Sequence, residues 1–103
     1  MITISGYNFD GPHTSTASLN DSAGVYAILT RSKQTEAWTV VDAGESGAVR
    51  TRIENHDRSG CWKRRNQGTL AAAVLYTPRW SADQRRSLES SVRDQYAPAC
   101  GKV

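Results

Sequence analysis

The densest chemistry in the chain lies between Arg50 and Arg65. Arg50, Arg52, Arg58, Lys63, Arg64 and Arg65 stand there against only Glu54 and Asp57, whereas residues 1–30 carry no Lys or Arg at all. A basic segment on an otherwise balanced chain of formal net charge +3 is the footprint of a polyanion binder. The same charges also suit a solvated helix face and loop. Arg52 and His56 are spaced one helical turn apart. A guanidinium holds phosphate at two points and keeps its charge at every accessible pH. An imidazole one turn further on can relay a proton or hydrogen-bond to the same group. Trp62, inside the run Cys61-Trp62-Lys63-Arg64-Arg65, can stack on a base as aromatics in basic grooves do, or can cover the edge of a core.

The elements that must position these residues can be read from periodicity. Gly24 to Thr30 is β-branched and aromatic, with Val25, Ala27 and Leu29 on one face and Tyr26 and Ile28 on the other. A second strand, Trp38 to Ala43, ends at Gly44, and a hairpin between the two brings Tyr26 and Asp42 together. Ser46 is placed to cap a helix running to about His56, in which Arg52 and His56 border the stripe of Val49 and Ile53. Asp57 to Gly68 reads as a basic loop, Thr69 to Thr77 as a third strand stopped by Pro78, and Ser81 as the cap of a last helix to about Tyr96. In that helix Glu89 sits at the edge of the Leu88, Val92 and Tyr96 stripe, where an ion pair with Arg85 or Arg93 is its simplest use. Residues 1–23, with Gly11-Pro12 as a turn, read as an arm with at most a short strand.

One domain of 103 residues is therefore expected, with an α/β or α+β fold: a small, mostly antiparallel sheet of three or more strands flanked by two main helices. The longest apolar run, Leu70 to Tyr76, is far short of a membrane span, and Met1 to Asp10 has neither the basic nor the apolar part of a secretory signal. A cytoplasmic protein is expected, with Cys61 and Cys100 as small unpaired side chains. A zinc site from Cys61, Cys100, His13 and His56 lacks the usual ligand spacing.

Gly24-Val25-Tyr26, Asp42-Ala43-Gly44, the segment GESGAVRTRIENH and RRSLESSVRDQYAP, taken in this order and spacing, resemble the motifs of the GIY-YIG nuclease superfamily across Gly24 to Gly101. A branch of small bacterial proteins with motifs such as GVYAIL, DAGES and ENHDR is especially similar. The resemblance implies a metal-dependent endonuclease acting on DNA, or on RNA. It makes Tyr26 the general base or the group that positions water, Arg52 the stabiliser of charge on the phosphorane, His56 a proton relay, and Glu89 the ligand of Mg²⁺ or Mn²⁺. It implies that Tyr26, Asp42, Arg52, His56 and Glu89 converge on one concave surface. Arg58, Lys63, Arg64, Arg65 and Trp62 would then grip the nucleic acid. Two departures stand out: Asp42 occupies the place of the second motif tyrosine, and the late asparagine of the family is Cys100 or Gly101 here. Asp42 therefore reads either as a second metal carboxylate or as the mark of a module that binds nucleic acid without cutting it. With no appended recognition domain, sequence specificity would need a homodimer or a partner protein.

Overall fold

The computed structural model describes residues 1–101 and has an α+β architecture. In chain order it holds β1 (Ile2–Ile4), β2 (Tyr7–His13), β3 (Gly24–Arg31), β4 (Thr39–Ser46), α1 (Val49–Glu54), α2 (Ser59–Arg65), β5 (Thr69–Tyr76) and α3 (Ala82–Tyr96). The strands form one sheet in the order β1-β2-β5-β3-β4, and every pairing is antiparallel. No described helix is long and apolar enough to cross a membrane.

Strand β3 lies between β4 and β5 and is covered on both faces, which is why its sequence is apolar almost throughout. Its two predicted faces separate cleanly. Val25, Ala27 and Leu29 join Ala43, Ala73 and Phe9 in a core that Leu88 and Val92 of α3 close. Tyr26 and Ile28 face the other way, into a second core with Val49 and Ile53 of α1, Trp62 of α2 and Cys100. Opposite Ile28 the register slips at β4, so that Ile28 pairs with Asp42 and Leu29 with Val40. A bulge of this kind re-aims side chains, and here it leaves Val41 and Asp42 both on the α1–α2 side of the sheet.

The last helix begins as the sequence predicts. Ser81 accepts from the Gln84 backbone N–H while the Gln84 side chain accepts from the Ser81 N–H, a complete capping box. Elsewhere the fold departs from expectation. Residues 1–23 are not an arm: β1 and β2 extend the sheet, and Ile4 and Phe9 are buried in its core. The segment predicted as a basic loop contains α2, whose turn-rich composition hid one buried residue, Trp62. Ser46 does not cap α1; its hydroxyl accepts from the Ala48 N–H just ahead of the helix. The capping acceptor comes from a distant loop instead, Asp21, which takes both the backbone N–H and the hydroxyl of Thr51. The cysteines are not free. Cys61 of α2 and Cys100 form a disulfide that ties the chain end to the second core, so the thiol argument for a reducing compartment loses its premise.

Candidate functional site

Asp42 is the most completely engaged side chain in the structure. Fully buried, it accepts from Arg58 Nε at 2.8 Å and Nη2 at 3.3 Å, from Trp62 Nε1 at 2.7 Å, from Arg93 Nη2 at 2.8 Å and from the Ala43 N–H at 2.8 Å. Burial alone would raise its pKa, but the bonds from Arg58, Trp62 and Arg93 outweigh that and hold the carboxyl below its ordinary range. With every lone-pair direction occupied, Asp42 has nothing left to offer a metal ion. Its charge is also matched by two guanidinium groups, so it does not present a repulsive carboxylate to phosphate. Its work is to hold α2, α3 and β4 together.

Tyr26 lies beside this hub. It pairs with Gly44 across the hairpin, and its ring covers that glycine so closely that a Cβ there would collide with the ring and hydroxyl. The position demands glycine for this reason and not for backbone freedom. Burial pushes the Tyr26 phenol up to about 12; the positive charges of Arg52 and Arg58 pull it down, and the carboxylates of Asp42 and Glu89 push it up again. A phenol near that value is ionised to roughly one part in 10⁵ at neutral pH. With no cation bound beside it, the Tyr26 hydroxyl therefore keeps its proton at neutral pH.

His56 packs edge-on to Tyr26, with ring centroids 6.0 Å apart, and against Trp62 at 4.6 Å. Its Nδ1 accepts from the Arg58 N–H at 3.0 Å, which leaves the proton of the neutral ring on Nε2. That Nε2 is buried and finds no partner among the described residues. Burial, then the charges of Arg52 and Arg58, lowers the His56 pKa below its usual 6.5. Because the folded value lies below the unfolded one, the stability linked to the neutral ring is complete above about pH 6.5 and is lost as pH falls through the folded value. Urea midpoints taken from pH 7.5 down to pH 5 should therefore decline, and His56→Gln should flatten that decline. An unchanged slope in the variant would assign the acid sensitivity elsewhere.

Arg52 is the exposed member of the group. Its side chain is 42% exposed and reaches Asp57 only at 3.4 Å, a loose contact that leaves the guanidinium available. Glu89 stands on α3, and α3 covers the sheet face opposite to α1. At the outer edge of β4 the Arg93 side chain links the two sides. Arg93 reaches over that edge to Asp42 and the Ala43 carbonyl, and its Nε donates to Glu89 at 3.2 Å. This rim around β4 joins Glu89 to Asp42 through Arg93, while Arg52 stands with α1 on the other side of the sheet. Among the described residues no group of three or more His, Cys, Asp or Glu side chains is arranged to hold a metal ion. Glu89 accepts one bond, from Arg93, and a hard cation that keeps several waters can be held through a single carboxylate.

The basic residues divide by role. Arg58 is committed to Asp42, and Trp62 is buried with its N–H on the same carboxylate, so neither offers its face to a base. Lys63, Arg64 and Arg65 are exposed in the last turn of α2 and join no ion pair among the described residues. Sequence reasoning saw Arg93 only as a helical partner of Glu89 and missed its bond to Asp42, which spans 51 positions. It missed Asp21 as well, since no local pattern marks a cap supplied from 30 residues away. Compared with protein-family models, curated proteins and solved structures, the chain finds no match in any of the three.

Proposed function

We propose that this chain is a divalent-metal-dependent endonuclease that hydrolyses phosphodiester bonds of DNA or RNA, in the manner of the GIY-YIG nucleases it resembles. What supports the reading is the β4 edge, where Arg93 bonds both Glu89 and the buried Asp42, and Tyr26 of the neighbouring strand closes over Gly44. Arg52 binds a non-bridging phosphate oxygen and stabilises the charge that develops there. The Tyr26 hydroxyl orients the attacking water, and the Nε2–H of His56 is a donor without a protein partner beside it. Glu89 would hold Mg²⁺ or Mn²⁺, which polarises the phosphate when bound. The reading sets the protein in the cytoplasm, with nucleic acid as its partner.

A second reading, a nucleic-acid-binding module without turnover, is favoured by the ion pair in which Arg93 holds Glu89. Incubation of the purified protein with single- and double-stranded DNA and RNA, with Mg²⁺, Mn²⁺ or a chelator, separates the two. Cleavage that needs the metal is expected, and binding without cleavage of any substrate leaves only the module. Glu89→Ala should remove the metal-stimulated rate while urea midpoints stay close to wild type, because a partly exposed i, i+4 pair contributes only about 0.3–0.5 kcal/mol. Tyr26→Phe keeps the ring over Gly44 and removes only the hydroxyl, so it should lower the rate by about tenfold or more without unfolding the chain. Full activity in the Phe variant would take Tyr26 out of the chemistry.

A further inference from the structure

A groove of about 340 Å³ opens on the α1–α2 side of the sheet, away from the β4 rim. Its floor is Ile28 and Ala72, which share one face of the sheet, flanked along β5 by Leu70 and Ala71. Ile53 and the edge of Trp62 form a wall. We infer that this groove seats one nucleotide of the bound strand, its base on the floor and its phosphate at Lys63. The inference deepens the nuclease reading and rests on it.

Three features select a nucleotide. The volume falls at the lower end of the roughly 300–1,000 Å³ typical of ligand pockets, and an apolar floor with polar groups on one side suits a flat ring. Lys63 stands at the lip with Arg64 and Arg65 in the same helical turn, so free positive charge adjoins the apolar floor where a base would be followed by its phosphate. Glu54 supplies the third. Its Oε2 is held by the Thr16 hydroxyl at 2.7 Å and by Arg50 at 3.3 Å, which fixes the carboxylate at the rim and offsets its charge. A carboxylate so fixed accepts from the cytosine 4-amine, where thymine presents a carbonyl that repels it. The groove is on the same sheet face as Tyr26, since Ile28 and Tyr26 alternate along β3. A strand seated there continues toward the rim.

The test follows backbone amide shifts of the full chain by two-dimensional NMR during titration with dCMP, dTMP, deoxyribose 5-phosphate and inorganic phosphate. Saturable shifts at Ile28, Ile53, Ala71 and Ala72 are expected with dCMP, weaker by about fivefold with dTMP, one hydrogen bond being lost. The two phosphates without a base should move only the Lys63 to Arg65 region. Glu54→Gln should erase the difference between dCMP and dTMP. Ala72→Leu should fill the floor and abolish the base-dependent shifts, and Lys63→Glu, an exposed change, should weaken dCMP even if the leucine variant does not fold. Equal response of the floor amides to inorganic phosphate and dCMP, or no saturation with dCMP, overturns the proposal. Metal-dependent cleavage without groove shifts overturns the groove alone. Groove shifts without any cleavage overturn the nuclease reading and leave a nucleotide-binding site.

Discussion

Arg52→Ala should slow metal-dependent cleavage by about 10²–10³-fold, the cost expected when a preorganised charge donor is removed from a developing oxyanion. The side chain is exposed, and its contact with Asp57 is loose, so the fold does not depend on it. The rate should therefore fall while the thermal midpoint stays within a degree or two of wild type, roughly the scatter of surface substitutions. Arg52→Lys tests the geometry separately. An ammonium keeps the charge but loses the two-point fork, and recovery of less than about a tenth of the rate is expected. Loss of rate together with loss of stability would assign Arg52 to the scaffold.

Asp42→Ala should cost about 3 kcal/mol of stability, measured as the shift in urea unfolding free energy. Removing the carboxylate leaves Arg58, Arg93 and the Trp62 N–H facing an empty site. Breaking a buried pair from one side typically costs about 3–5 kcal/mol, and the lower end applies because both arginines keep some exposure to water. The pH dependence has a definite sign. The folded pKa of Asp42 is depressed, so its contribution is complete above the unfolded value near 3.8 and is lost as pH falls through the folded value. Asp42→Asn should consequently be destabilised at neutral pH and show a shallower acid limb. A variant as stable as wild type would mean that the two arginines are held by other groups.

The hub changes how the departure at position 42 is understood. Arg58, Trp62 and Arg93 answer the aspartate within the same chain, and the carboxylate faces them and not the rim. Asp42→Tyr would strand two guanidinium groups, so it is expected to destabilise the protein and not to raise activity. The basic segment divides in a similar way. Arg58 looked like a phosphate contact from composition but is consumed by Asp42, whereas Lys63, Arg64 and Arg65 form no ion pair among the described residues.

Local pattern by itself determined β3, β5, the β3–β4 hairpin and α3. Each follows from short-range rules: a bounded apolar run, a strand stopped at Pro78, and a capping box formed by Ser81 and Gln84. The two faces of β3 were equally legible, because side chains alternate with a period of two whatever covers them. Only the tertiary structure decided what those faces meet. Ile4 and Phe9 pair locally, with Tyr7 and Ile2, and that hairpin joins the sheet where Asp10 and His13 meet Val74 and Ala72 far along the chain, while polar turns masked its two strands. The α2 helix is fixed by Trp62 under the sheet and by the bond from Cys61 to Cys100, contacts that carry no local signature. The link from Glu89 to Asp42 around β4 depends on α3 packing against one face while Arg93 reaches across the edge to the other. Spacing along a helix can place a residue on a stripe, but which edge of which strand that stripe overhangs is set by packing between elements.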